Sequence, residues 1–131
     1  LYPSTEGIAE AMAKRDKTRI IPTSIYALQQ LGISTQIPMN VIYLTDGAPR
    51  KIKVGKRTIT FKKTAPKNLA IKNKVLSNIV QGFKELGKEN ITDEIRQKIN
   101  QALQKVPVEI LKEEILNAPV WVRNEVLSLN N

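Results

Sequence analysis

The first apolar rhythm along the chain has helical spacing. Ile8, Ala11 and Met12 recur at three and four residues, which predicts an amphipathic helix from about Thr5 to Arg15, capped by Ser4 after Pro3 and ended by "RDKT". "RIIP" then reads as a short strand stopped by Pro22. Thr23 caps a second helix through Ile25, Leu28 and Leu31, and Gly32 follows where a left-handed residue closes a helix. "ISTQIPMN" is expected to be an extended linker, because Pro38 bars helix across it and drives Ile37 toward β or polyproline geometry.

From Val41 the period changes to two. Val41 to Thr45 reads as a strand, "DGAP" as a turn, and "KIKV-GK-RTITF" as two strands joined across Gly55 and Lys56 by a Gly-first, type II′ loop. A two-residue loop fixes the register: Val54 opposite Arg57, Lys53 opposite Thr58, Ile52 opposite Ile59, Lys51 opposite Thr60, Arg50 opposite Phe61. One face then carries Ile52, Val54, Ile59 and Phe61 with Arg50 and Arg57 toward its ends. The other carries Lys51, Lys53, Thr58, Thr60 and Lys62 and nothing apolar. A slip of one residue would bury lysines, so the pattern specifies its own pairing.

The remainder is helical. Asn68 is expected to cap a long helix to about Leu86, with Leu69, Leu76, Ile79, Val80 and Phe83 on its buried side and Gly87 beyond it. Thr92 caps another helix through Ile95, Ile99 and Leu103, with Asp93 and Glu94 well placed in its first turn. Pro107 and Pro119 open two short helices, Val108 to Asn117 and Pro119 to Leu129. These elements predict an α+β fold: a small, mostly antiparallel sheet of about four strands with a basic β-hairpin, helices packed on one side, and an all-helical C-terminal tail. Residues 1–75 form the α+β core and residues 76–131 a helical extension packed on it, within one structural domain.

Charge sharpens this picture because it is gathered in one place. Residues 46–75 hold ten Lys and Arg against Asp46 alone, whereas residues 1–45 hold four against three acids and residues 76–131 seven against eight. The net charge of +9 on 131 residues therefore resides almost wholly in the hairpin region. A clustered excess raises the local potential and marks a polyanion binder, where a dispersed one only aids solubility. The nucleic-acid-binding residues it nominates are Arg50, Lys51, Lys53, Lys56, Arg57, Lys62, Lys63 and Lys67, with the bland alternative of a solvated hairpin face.

Chemistry is limited by what the chain lacks. With no Cys and no His, disulfides, thiolate nucleophiles, the usual triads and nearly all transition-metal sites are excluded, so no cofactor or metal is expected. Asp46 before Gly47 reads as a turn former rather than a catalytic carboxylate, since no second acid stands near it in the segment. "STQ" at 34–36 reads as a loop bonding its own backbone. Trp121 reads as core packing, with a partner-binding anchor as the alternative, and Lys72 and Lys74 either extend the basic face or are merely solvated. No apolar run approaches a membrane span and no leader opens the chain, so the expectation is a cytoplasmic protein without a membrane partner.

The run "LYPSTEGIAEAMAKRD", then "RIIPTSIYAL" followed by "LGISTQIP", then "IYLTDG" leading into the basic hairpin resembles the AbiEi-type antitoxin and transcriptional-regulator family of type IV toxin–antitoxin systems, over about residues 1 to 70. The resemblance implies a C-terminal region, preceded in that family by a winged-helix domain. It implies antitoxicity toward a nucleotidyltransferase-like toxin, without need of a stable complex, and help in binding the operon's own promoter.

Charge and resemblance lead independently to a non-enzymatic regulatory domain. Its Lys51, Lys53 and Lys62 face would contact DNA phosphates, and Arg50 and Arg57 are the candidates for bidentate base readout. Two alternatives stand beside it. One is a protein-interaction module using the helical tail, with Trp121 and Val122. The other is an RNA-binding domain, disfavoured because Phe61, the sole aromatic of the basic segment, points inward.

Overall fold

Helix α1 spans Thr5–Asp16, strand β1 Ile20–Pro22 and helix α2 Ser24–Gln30; the sheet continues with β2 (Asn40–Thr45), β3 (Arg50–Val54) and β4 (Arg57–Lys63). Helices α3 (Lys74–Leu86), α4 (Asp93–Leu103), α5 (Val108–Glu114) and α6 (Val120–Leu129) complete an α+β fold with a helical C-terminal part. The computed structural model describes residues 5–36 and 38–129, so the cap expected at Ser4 and the extended Ile37 lie outside the described residues. Among the described residues, no helix is long and apolar enough to cross a membrane.

The sheet is mixed, in the order β1-β2-β4-β3. β1 with β2 and β3 with β4 are antiparallel, whereas β2 and β4 run parallel, with Val41 opposite Ile59 and Tyr43 opposite Phe61. The hairpin register matches the pattern-based one at all five pairs, Val54 with Arg57 through Arg50 with Phe61. Gly55 has φ +62°, the left-handed geometry that a type II′ loop demands of its first residue. β4 lies inside the sheet because it carries the most apolar inner face of the pair: Ile59 and Phe61 are buried, while Lys51 and Lys53 leave β3 suited only to an edge. The opposite edge is three residues long and contains Pro22, which has no N–H to offer a further strand.

The inner face of the sheet packs on α1 and α2. Ala9, Tyr26, Val41, Tyr43, Ile59 and Phe61 form one apolar cluster. Tyr26 meets Tyr43 edge-on at 5.8 Å and Tyr43 stacks on Phe61 at 5.9 Å. Burial pushes the Tyr43 phenol well above its ordinary pKa. A second cluster, with Leu76, Ile79, Phe83, Ile99, Leu111, Ile115, Val122 and Val126 at its heart, joins α3 to the helical tail. Helix α2 links the two, since Tyr26 belongs to the first while Leu31 packs against the second. The linkage needs Gly82 of α3, where a Cβ would come within 3.1 Å of methyl carbons of both Leu28 and Leu31.

Several local expectations are corrected. Asn68 does not cap a long helix: Pro66–Leu69 is a 3-10 turn, residues 70–73 are non-helical, and α3 begins only at Lys74. The Asn68 amide donates to Thr64 Oγ1 at 2.8 Å, whereas Asn73 Oδ1 accepts from Leu76 N at 3.0 Å. The start is held from afar, because Glu114 Oε1 accepts the backbone N–H groups of Lys72 and Asn73 at 3.1 and 2.9 Å. Thr23 stands at the N-cap of α2 without a capping bond; its hydroxyl donates instead to Ile42 O at 3.0 Å, tying helix to sheet. Thr92 caps α4 as its sequence position predicts, accepting from Ile95 N at 3.2 Å, and Gly32 takes φ +76° after α2. Ser34 Oγ accepts from Gln36 N at 3.2 Å, so that loop bonds its own backbone.

Candidate nucleic-acid interface

The alternation of β3 and β4 sorts the basic residues by face. Lys51, Lys53 and Lys62 stand exposed on the outer face with Thr58 and Thr60 among them, and Asn40, Ile42 and Leu44 of β2 flank them on the same face. Thr60 donates to Asn40 Oδ1 at 2.7 Å, a side-chain bond that ties β4 to β2 on this face. No ion pair holds any of the three lysines among the described residues, so their ammonium groups are free to meet an anion. Lys56 is exposed at the hairpin tip, Lys63 at the far end of β4 and Lys67 on the following 3-10 turn. Arg50, Lys51, Lys62 and Lys63 line one shallow depression at the open end of the hairpin.

The two arginines lie on the inner face and are engaged within the fold. Arg57 is half-buried and its Nε donates to Pro38 O at 3.4 Å. Arg50 Nη1 donates to Asp16 Oδ2 at 3.2 Å. Arg57 is thus committed to the fold, whereas Arg50 is held only by an exposed ion pair and borders the lysine-lined depression. Phe61 points inward, as its register requires.

Folding also adds basic residues that the linear charge map left out. Lys14, Arg15 and Lys17 are exposed at the C-terminal end of α1, and Asp16 brings that end against Arg50. The neighbouring loop is fastened to the β2–β3 turn. Asp46 Oδ1 accepts from Arg19 N at 2.9 Å, and Gly47 N donates to Thr45 Oγ1 at 3.0 Å. The "TDG" sequence is thus a clamp between two loops. Thr18 lies so close over Gly47 that a Cβ there would fall 2.5 Å from Thr18 Cγ2. Gly47→Ala is therefore expected to lower stability by about 1–3 kcal/mol, most of it recovered by adding Thr18→Ser, which removes the opposing methyl. Paired urea titrations of the single and double variants check this; equal losses would place the strain elsewhere.

A separate cleft of about 360 Å³ opens between α1, β1 and α3, lined by Glu6, Glu10, Arg19, Lys72 and Lys74 among others. Lys74 Nζ pairs with Glu10, whose carboxylate raises the ammonium pKa above its ordinary value. Acids and bases are mixed there, and Lys74 is taken up by Glu10, whereas no acid stands among the hairpin lysines; Lys72 is exposed on the rim of the same cleft. In the tail, Val122 is fully buried and Trp121 rests edge-on against Phe83 at 6.1 Å. Val122 cannot serve as a contact residue for a partner.

No curated protein and no solved structure matches the chain significantly. One family model does match, across residues 1–111, a span that takes in the whole sheet, the basic hairpin and the chain as far as α5, and by that match the chain belongs to a family of unknown function, DUF6088.

Proposed function

We propose that this chain is a non-enzymatic regulatory domain that holds duplex DNA by its phosphates. On the resemblance noted in its first 70 residues, it serves as the C-terminal region of an AbiEi-type antitoxin and transcriptional regulator, acting at its own operon's promoter and counteracting a nucleotidyltransferase-like toxin. The observation that carries the DNA reading is the exposed face of Lys51, Lys53 and Lys62, which carries no acid and no ion pair among the described residues. Lysines on an edge strand also discourage sheet-to-sheet association. That need is met by one or two charges, and it does not account for Lys62 on an interior strand or for Lys56, Lys63 and Lys67 around it.

The aromatic residues favour duplex over single-stranded nucleic acid. Tyr26, Tyr43, Phe61 and Phe83 are buried and the half-buried Trp121 lies in the helical tail, so among the described residues the lysine face offers unpaired bases no exposed ring to stack on. Fluorescence anisotropy on promoter duplex, scrambled duplex and single-stranded RNA across a salt series tests the reading. The expected result is duplex binding whose log affinity falls with log salt by about 0.9 for each phosphate neutralised. Absence of duplex binding at low salt would refute it.

One observation favours a second reading, a protein-interaction module. Leu116, Val120 and Leu127 are exposed in the tail at 63%, 63% and 41%, and Val120 and Leu127 are seven residues apart on one side of α6. A toxin complex that survives high salt and is lost in Val120→Asp would support it, because apolar contact is not screened.

A further inference from the structure

Asp16 sits between two guanidinium groups. Its Oδ1 accepts from Arg15 Nε at 3.1 Å and its Oδ2 from Arg50 Nη1 at 3.2 Å, one oxygen to each arginine. All three side chains are well exposed, Arg15 at 64%, Arg50 at 45% and Asp16 at 38%. Two guanidinium groups converging on two oxygens of one anion is the arrangement that recognises a phosphodiester, whose two non-bridging oxygens are spaced much like those of a carboxylate. The site lies where the lysine-lined depression meets a second hollow formed by Asp16, Thr18, Gly47 and Arg50; Arg50 and Phe61 are common to both.

We propose that Arg15 and Arg50 form a phosphate clamp at the edge of the lysine face, and that Asp16 occupies it as an internal stand-in until a backbone phosphate of duplex DNA displaces the carboxylate. The inference rests on the duplex-binding reading and adds a site and a control to it. Displacement is cheap, because exposed ion pairs contribute little and are weakened by salt. The carboxylate sets a threshold: only an anion already held by Lys51, Lys53 and Lys62 is concentrated enough to compete for the two arginines. Asp16 thereby weakens capture of isolated phosphates while permitting capture of a polyanion.

The test is a double-mutant cycle on a short duplex by anisotropy, with the salt slope as a second readout. Asp16→Asn is expected to raise affinity roughly fivefold with little change in the log–log salt slope, because the same phosphate fills the clamp in both chains and only the competing carboxylate is gone. Arg50→Ala should cost more in the Asp16→Asn background than in the native one, removing most of that gain, and Arg15→Ala should act in the same direction. Glu113→Gln, an equal charge change on exposed α5, controls for net charge. A gain that survives loss of both arginines, or one that Glu113→Gln reproduces, would overturn the clamp. If the clamp fails while lysine reversals still weaken binding, the duplex reading stands without it. If neither the native chain nor Asp16→Asn binds duplex, both fall together.

Discussion

Changing Lys51, Lys53 and Lys62 together to glutamate is expected to weaken duplex binding at least a hundredfold near physiological salt and to flatten the salt slope by about 2.7, which is about 0.9 for each lost contact. The effect should be the largest of any surface change because the three ammonium groups share one face of two paired strands, so a phosphate backbone can meet all of them at once. Folding should be unaffected, since all three side chains are exposed and none is ion-paired. Lys88, Lys105 and Lys112 in the helical tail provide the comparison: reversing them alters net charge equally yet should change affinity far less, because they do not converge on the hairpin. Equal losses from the two triple variants would mean that net charge, not the face, governs binding.

Phe83→Ala is expected to have the largest effect on stability, about 3–5 kcal/mol. Phe83 is completely buried in α3, within the cluster that joins α3 to the tail, and its ring supports Trp121 edge-to-face. Truncation leaves a cavity that the packed helices of this cluster cannot close without moving relative to one another. Trp121 is the only tryptophan, so urea unfolding followed by its fluorescence reports directly on this contact. Phe61→Ala offers a parallel loss in the sheet cluster, to which Trp121 does not belong and which it senses through the packing of α3 on α2 and β1. Fluorescence and circular dichroism transitions that coincide in both variants would mean that the two clusters unfold together. A Phe83→Ala midpoint unchanged from the native one would show that the ring contributes no net packing energy.

The sequence determined on its own those features whose causes are local. The hairpin register was legible because a period of two leaves one face without apolar residues and a two-residue glycine loop allows a single alignment; the lysine face followed from it. The cap at Thr92 and the left-handed Gly32 were equally legible, each depending on residues a turn away. Asn68 failed as a cap for the complementary reason: Asn73 competes for the role, and Glu114, forty-one residues beyond it, holds the N–H groups that fix the start of α3.

The remaining features depend on contacts between distant segments. Nothing near β4 announces that it inserts between β2 and β3 in parallel with β2, because ladder bonds between distant strands leave no trace in either strand's own spacing. That insertion aligns the end of α1 with the open end of the hairpin, and so engages Arg50 with Asp16 and adds Arg15 to the basic surface. Charge along a chain shows how much potential is available. Which cations face solvent and which are already paired depends on contacts that only the folded chain brings within reach.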